Sequence, residues 1–189
     1  MAFLSNSLTE DVKREQERLL WTDTIILQCP LWTYGMSAIM KSWVERAFSV
    51  GFGLGIGEHG NRHWGDGYEE GKLLERRAML IVTSGSWKEH VSARGIAGPI
   101  DDILFPINHG ILYYTGCDVL PFRKFRSYTD EVREKLRNIS VTKPIACHPQ
   151  NGGDYGIPTL TLKPGLEEPS TSGYGLYSHI TKQAAGSEE

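Results

Sequence analysis

Thr24-Ile25-Ile26-Leu27-Gln28-Cys29-Pro30-Leu31-Trp32-Thr33-Tyr34-Gly35 is the stretch on which the fold turns. Its first seven residues form a short apolar, β-branched run closed by proline. That is the pattern of a strand buried on both faces, and such strands belong to parallel sheets covered by helices. On the N-terminal side, Ser7-x-x-Glu10 has the form of a capping box and Glu10 and Asp11 suit a positive helix start. Val12, Leu19 and Leu20 follow at helical spacing, so the sequence predicts a helix from about Leu8 to Leu20. On the C-terminal side, the loop Leu31 to Met36 leads into Ser37 to Phe48. There Ile39, Met40, Trp43, Val44, Ala47 and Phe48 share one stripe, the signature of an amphipathic helix.

The remainder repeats the alternation. A glycine-rich segment from about Gly51 to Gly71 is too long and too aperiodic for a simple turn and has the character of an insertion or an active-site loop. Ala78 to Thr83 predicts the next strand, ending in Ser84-Gly85-Ser86, and a helix follows from about Pro99 to Tyr114 with Gly116 at its C-cap. Cys117 to Phe122 predicts a third strand, and Thr129-Asp130-Glu131 opens a last helix through about Asn138. The order α-β-α-β-α-β-α indicates an α/β domain, an open parallel sheet with helices on both faces and right-handed crossovers. Ligands of such sheets bind beyond the carboxyl ends of the strands, which singles out the loops Pro30 to Ser37 and Thr83 to Gly98. Past Pro144 glycine and proline break any period, dividing the chain into a domain over 1–143 and an irregular extension over 144–189.

Composition narrows the functional classes. The 189 residues are 40% hydrophobic and 23% charged, as expected of one ordinary globular domain. Lys+Arg 20 against Asp+Glu 23 gives a net charge of -3, so the chain lacks the basic field that attracts nucleic acid. No apolar stretch approaches the roughly 18 residues of a membrane helix, and a soluble cytoplasmic protein is expected. Cys29, Cys117 and Cys147 are odd in number and widely spaced, which suits buried reduced thiols.

Several motifs carry little chemistry. Gly55-Ile-Gly57-Glu-His-Gly60 fits the dinucleotide pattern, but it follows a helix and opens none. His59 and His63, with Glu58 and Asp66, could be drawn as a metal site, yet the glycine between them argues for a solvated loop and no metal. His109 and His148 stand apart from any nucleophile and suit structural roles. More informative is Leu31-Trp32-Thr33-Tyr34-Gly35, which offers two aromatic rings and a glycine either to a flat heteroaromatic ligand or to a dimer interface or core. Thr83-Ser84-Gly85-Ser86 offers hydroxyls and close backbone approach, or a plain turn.

Four segments, in order, carry a family resemblance: Leu8 to Gln16, Trp21 to Leu31, Ala38 to Phe48, and Gly95-Ile-Ala-Gly98 leading to Pro106-Ile-Asn-His-Gly110-Ile-Leu112. From about Leu8 to Phe125 the chain resembles the NAD(P)H quinone reductases, which include the ribosyldihydronicotinamide (quinone) dehydrogenases. These are flavodoxin-like proteins that bind FAD as homodimers. The resemblance implies that Leu31, Trp32, Thr33 and Tyr34 hold the isoalloxazine ring and that Thr83, Ser84, Gly85 and Ser86 bond its polar edge. It also implies that Arg133 approaches the adenine end and that Tyr114 and Val91 border the substrate pocket. The implied cofactor is FAD in preference to FMN. The implied partners are a reduced nicotinamide, which gives hydride to the flavin, and a quinone or quinonoid metabolite that receives it, with secondary metabolism as one setting.

The departures from the family fall on functional positions. Thr33 stands where an aromatic is usual, Val91 where a tyrosine supports the reduced flavin, Ala97 where a histidine or asparagine meets substrate, and Leu54 and Ile56 where the pocket loop has tyrosines. His90, beside Val91, is a candidate substitute donor, and no catalytic residue is assigned. The sequence starts just before the family's third strand, so the expected sheet lacks the first two strands and the phosphate loop. That would leave Thr24 to Cys29 as an open apolar edge. The same departures fit a second expectation, a non-catalytic dimer partner that has lost the redox site.

Overall fold

The computed structural model describes residues 8–60, 63–121, 128–149, 151–156, 159 and 161–166. Helix α1 (Glu10–Trp21) leads to β1 (Thr24–Trp32), the short β2 (Gly35–Met36) and α2 (Ala38–Ala47). A hairpin of β3 (His59–Gly60) and β4 (His63–Trp64) and a 3-10 turn at Tyr68–Glu70 precede β5 (Arg77–Thr83). Then come α3 (Ile100–Ile107), a π-helical continuation over Asn108–Tyr113, β6 (Asp118–Val119), α4 (Tyr128–Arg137) and a small ladder of β7 (Tyr155–Gly156) with β8 (Thr161–Leu162).

The main sheet has the order β2-β1-β5-β6. β1 and β5 run parallel from Thr24↔Arg77 to Pro30↔Thr83, β6 adds parallel at Arg77↔Asp118, and β2 folds back antiparallel on the end of β1. The expected alternation is present, with a sheet that is mixed but mostly parallel.

Period-two alternation sorts the core into two unequal layers. Ile25, Leu27 and Leu31 of β1 and Ala78 and Leu80 of β5 meet Leu19 of α1, Val44 and Ala47 of α2, and Leu104, Ile107 and Leu112. On the reverse face, among the described residues, the buried cluster is Met79, Ile81 and Leu120, with Ile139 packed against them. This corrects the expectation that β1 is buried on both faces. Ile26 pairs with Met79 across the sheet yet remains 42% exposed, and Gln28 is exposed too. The reverse layer covers β5 and β6, and among the described residues it does not reach β1.

Polar contacts fix α1 against α2. Gln16 Nε2 donates to the Ala47 carbonyl at 3.0 Å, Trp43 Nε1 donates to Glu15 Oε2 at 3.2 Å, and Arg46 bridges to Asp11 at 2.6 Å. The Thr9 hydroxyl and then the Arg46 guanidinium hold the Asp11 carboxyl below the usual carboxylate range. The expected capping box is not what starts this helix: Ser7 lies outside the described residues, Thr9 is the N-cap, and Glu10 pairs with Lys13 at 2.8 Å.

The helix expected from Pro99 to Tyr114 changes character midway. Pro106 has no N–H to give the Asp102 carbonyl, and its ring crowds that oxygen. The following turn loosens to five-residue spacing, with Tyr114 N bonded to His109 O at 3.0 Å and Cys117 N to Leu112 O at 3.0 Å. The third strand is likewise shorter than expected, Asp118–Val119 instead of Cys117 to Phe122, and Phe122 lies outside the described residues. No helix among the described residues is long and apolar enough to cross a membrane.

Candidate functional site

The two strand-end loops lie side by side. Parallel pairing of Pro30 with Thr83 aligns the carboxyl ends of β1 and β5, so Leu31 to Tyr34 and Thr83 to Ser86 leave the sheet from neighbouring positions. Trp32 is 65% exposed and Tyr34 54%, whereas Leu31 is buried. Ser84 Oγ accepts the Ser86 N–H at 3.1 Å, a local turn that exposes Gly85, where an added Cβ would meet nothing within 4 Å.

The connection between β1 and β2 is tight. Trp32 pairs with Gly35, leaving only Thr33 and Tyr34 between them, with φ of 52° and 58°. Positive φ at both central residues is what a type I′ hairpin requires, and Asn-Gly is its usual occupant. A β-branched residue and an aromatic therefore sit in the left-handed region at the strand-end loop, where strain is often functional. Below it a groove of about 620 Å³ follows the open edge of β1 between Ile26, Gln28, Pro30, Trp32, Ile39 and Trp43.

The other expected site residues belong to other elements of the fold. Val91 closes a short 3-10 turn and is only 3% exposed, while its neighbour His90 is exposed and stacks on Trp87 at 5.7 Å. Arg133 is exposed on α4. Tyr114 packs in an aromatic cluster whose hub is Tyr68, at 5.1 Å from Tyr114, 5.4 Å from Tyr113 and 5.2 Å from His109; His109 also stacks on Phe105 at 4.5 Å. Two glycines admit this arrangement, since a Cβ on Gly71 would lie 2.3 Å from the Thr115 carbonyl carbon and one on Gly116 2.7 Å from the Gly71 oxygen. Burial pushes the Tyr68, Tyr113 and Tyr155 phenols up, so they keep their protons at neutral pH and can donate.

A segment far along the chain clasps this cluster. Asn151 donates its backbone N–H to Glu69 Oε1 at 2.9 Å and its side-chain amide to Glu70 Oε2 at 2.8 Å. His148, 6% exposed, bonds through Nδ1 to Asp154 Oδ2 at 2.8 Å and lies edge-on to Tyr155. Sequence reasoning gives His148 a structural role but has no signal for this clasp, whose members are separated by some 80 positions. The dinucleotide-like glycines serve a bend: a Cβ at Gly57 would lie 2.0 Å from Asp66 Oδ1. Among the described residues, no three His, Cys, Asp or Glu side chains group as metal ligands.

Comparison with known proteins agrees with this architecture. A family model described as "Flavodoxin-like fold" matches residues 3–140. The chain belongs to this flavodoxin-like family, in its quinone reductase branch. It is 50% identical to the ribosyldihydronicotinamide dehydrogenase-like protein traD of Penicillium crustosum, over all of this chain and 73% of that protein. It is 32% identical to NAD(P)H dehydrogenase [quinone] 1 of Cavia porcellus, over 64% of this chain and 41% of that one. A solved structure described as a quinone reductase from Klebsiella pneumoniae superposes with a TM-score of 0.84 at 49% identity, covering 95% of this chain and 73% of that one.

A flavin is the cofactor that family membership implies, and the described residues fit its ring half. They offer two exposed aromatics, an open glycine and hydroxyls at adjoining strand ends. Among the described residues no glycine-rich loop runs from a strand into a helix, so none of these residues forms a cradle for the phosphate half.

Proposed function

We propose that the chain is an FAD-dependent oxidoreductase that takes hydride from NAD(P)H or a related dihydronicotinamide and delivers it to a quinone or quinonoid metabolite, with secondary metabolism as the setting. One observation carries the proposal: two loops leave adjoining ends of paired parallel strands, one bearing exposed rings and the other open backbone and hydroxyls. FAD, when bound, supplies the two-electron chemistry. The chain's own residues bind and orient. Leu31, Trp32, Thr33 and Tyr34 hold the ring, Thr83, Ser84, Gly85 and Ser86 bond its polar edge, Arg133 meets the adenine end, and Tyr114 and Val91 border the substrate. The preference for FAD over FMN rests on that role for Arg133. The protein acts in the cytoplasm as a homodimer, with residues 1–143 as the domain and 144–189 as an extension.

The test is reconstitution. The purified chain mixed with FAD should retain flavin absorbance after gel filtration, and NAD(P)H should bleach it. No retained flavin at roughly tens of micromolar overturns the proposal. A second function, that of a non-catalytic dimer partner, is favoured by the buried Val91 and by Ala97, which remove a phenol and an imidazole from the expected pocket. Its mark would be flavin bound only when a full-length relative co-purifies.

A further inference from the structure

The segment Thr83 to Ser86 passes directly into the 3-10 turn Lys88–Val91, with Trp87 as its N-cap. We propose that His90, presented by this turn and stacked on Trp87, is the catalytic proton donor to the quinonoid acceptor, with Trp87 as its positioning residue. The inference rests on the oxidoreductase reading above. Hydride, with its electron pair, completes one oxygen of a quinone and leaves the other as an oxyanion. The product is neutral only when that second oxygen gains a proton. The imidazolium N–H breaks, the O–H forms, the bonding pair stays on the ring nitrogen, and the neutral ring recovers a proton from water.

On the two strand-end loops, over 31–34 and 83–98, the side chains beyond the hydroxyls that carry or accept a proton are Tyr34, Lys88, Glu89, His90 and Arg94. Phenol, ammonium and guanidinium hold their protons to about pH 10 and above, and a carboxyl gives its own up near pH 4. Imidazole is the type that exchanges one between about pH 5 and 8. Three other histidines are engaged elsewhere: His148 with Asp154, His109 with Phe105 and Tyr68, and His59 through Nδ1 with the Gly57 carbonyl.

A 3-10 turn has three residues per turn, so positions three apart eclipse. Trp87 and His90 therefore share one face, with ring centroids 5.7 Å apart and planes within 9°. Both are exposed, while Val91, the next residue, turns inward and anchors the turn. The backbone of His90 is held from both sides: its N–H donates to the Trp87 carbonyl and its carbonyl accepts the Ala97 N–H, each at 3.0 Å. Gly95 lets the returning chain pass this close, since a Cβ there would lie 2.3 Å from the Glu89 and His90 oxygens. Val91 and Ala97 carry no proton to give, yet together they fix the turn that presents one. Among the described residues the His90 ring makes no side-chain hydrogen bond or ion pair, which leaves its nitrogens to a ligand oxygen. The rise of such a turn keeps the His90 Cα within about 10 Å of the Ser86 Cα.

The FAD-loaded protein is assayed with menadione, which needs the proton, and with ferricyanide, which takes electrons only. His90→Gln should lower the ratio of menadione to ferricyanide rates about 10²-fold, and free imidazole should restore it in part to His90→Gly. Trp87→Ala should lower the ratio by a smaller factor, and Trp87→Phe, which keeps a ring to stack on, should not. A readout without turnover uses 4-nitrophenolate as a stable stand-in for the oxyanion: the oxidised wild type should bind it about tenfold more tightly than His90→Gln does. A wild type that retains no flavin, or whose flavin NAD(P)H does not bleach, overturns the oxidoreductase reading and this inference together. With flavin bound and bleached, an unchanged rate ratio in His90→Gln, or 4-nitrophenolate bound equally by both or by neither, overturns the inference alone. Loss of flavin from His90→Gln but not from the wild type makes the residue structural and overturns it as well.

Discussion

Replacing Thr33 by asparagine should stabilise the protein. Thr33 and Tyr34 fill both left-handed positions of the β1–β2 hairpin, at φ 52° and 58°. A non-glycine residue there costs roughly 1–2 kcal/mol, and a β-branched one is among the least tolerant. Thr33 is exposed, so asparagine, which enters this region readily, relieves about 1 kcal/mol without losing buried contacts. In a domain of this size that raises Tm by about 2–4 °C. Tyr34→Gly makes an instructive companion, because its relief is offset by the roughly 0.5–1 kcal/mol of extra backbone entropy glycine loses on folding, leaving Tm nearly unchanged. Thr33→Val retains the branch and should gain nothing. Thermal unfolding by circular dichroism, with urea midpoints as a check, separates the three variants. A Tm that falls in Thr33→Asn, or rises equally in Thr33→Val, would refute the claim that backbone strain resides at this turn.

Three further outcomes are expected. Leu112→Ala empties a fully buried position in the π-helical segment and should lower unfolding free energy by about 2–5 kcal/mol in urea titrations at constant m. Burial, then the neighbouring Asp101, raises the Asp102 carboxyl above its ordinary 3.8, so the folded form binds the proton more tightly than the unfolded chain. Stability should therefore fall as pH climbs from 3.8 through the raised value, and Asp102→Asn should flatten that limb of a Tm-against-pH profile. Burial pushes the Cys117 and Cys147 thiols up to about 12, leaving roughly one thiolate in 10⁴ at pH 8. Ellman's reagent should label these two slowly in the native protein, and three equivalents should react once it is denatured.

The order of elements was legible because apolar runs and helical stripes report local periodicity. Cys29 and Ile25 point inward as their pattern suggests, and Val44 and Ala47 face the sheet. An apolar run does not report whether a second layer exists to cover it, which is why Ile26 and Gln28 lie open. Pro106 inside an apolar helical pattern does mark where the register can slip, though it does not say that the next turn becomes π. At the candidate site, adjacency of the two loops followed from the strand order alone. The left-handed Thr33 did not, since nothing in threonine chemistry favours it, and the partners of Tyr68 come from segments that only tertiary folding brings together.

The clasp between Asn151 and the Tyr68–Glu70 turn also has a schedule. Glu69 and Glu70 leave the ribosome 82 and 81 residues ahead of their amide partner, which at about 5–20 residues per second is an interval of roughly 4–16 s. All four strands of the main sheet and the helices that cover its larger face are synthesised before Asn151, so the nascent core can assemble while two adjacent carboxylates await their donors. The clasp can thus close over a core assembled before it, and amide exchange along 147–155 should register it as the first segment to lift away.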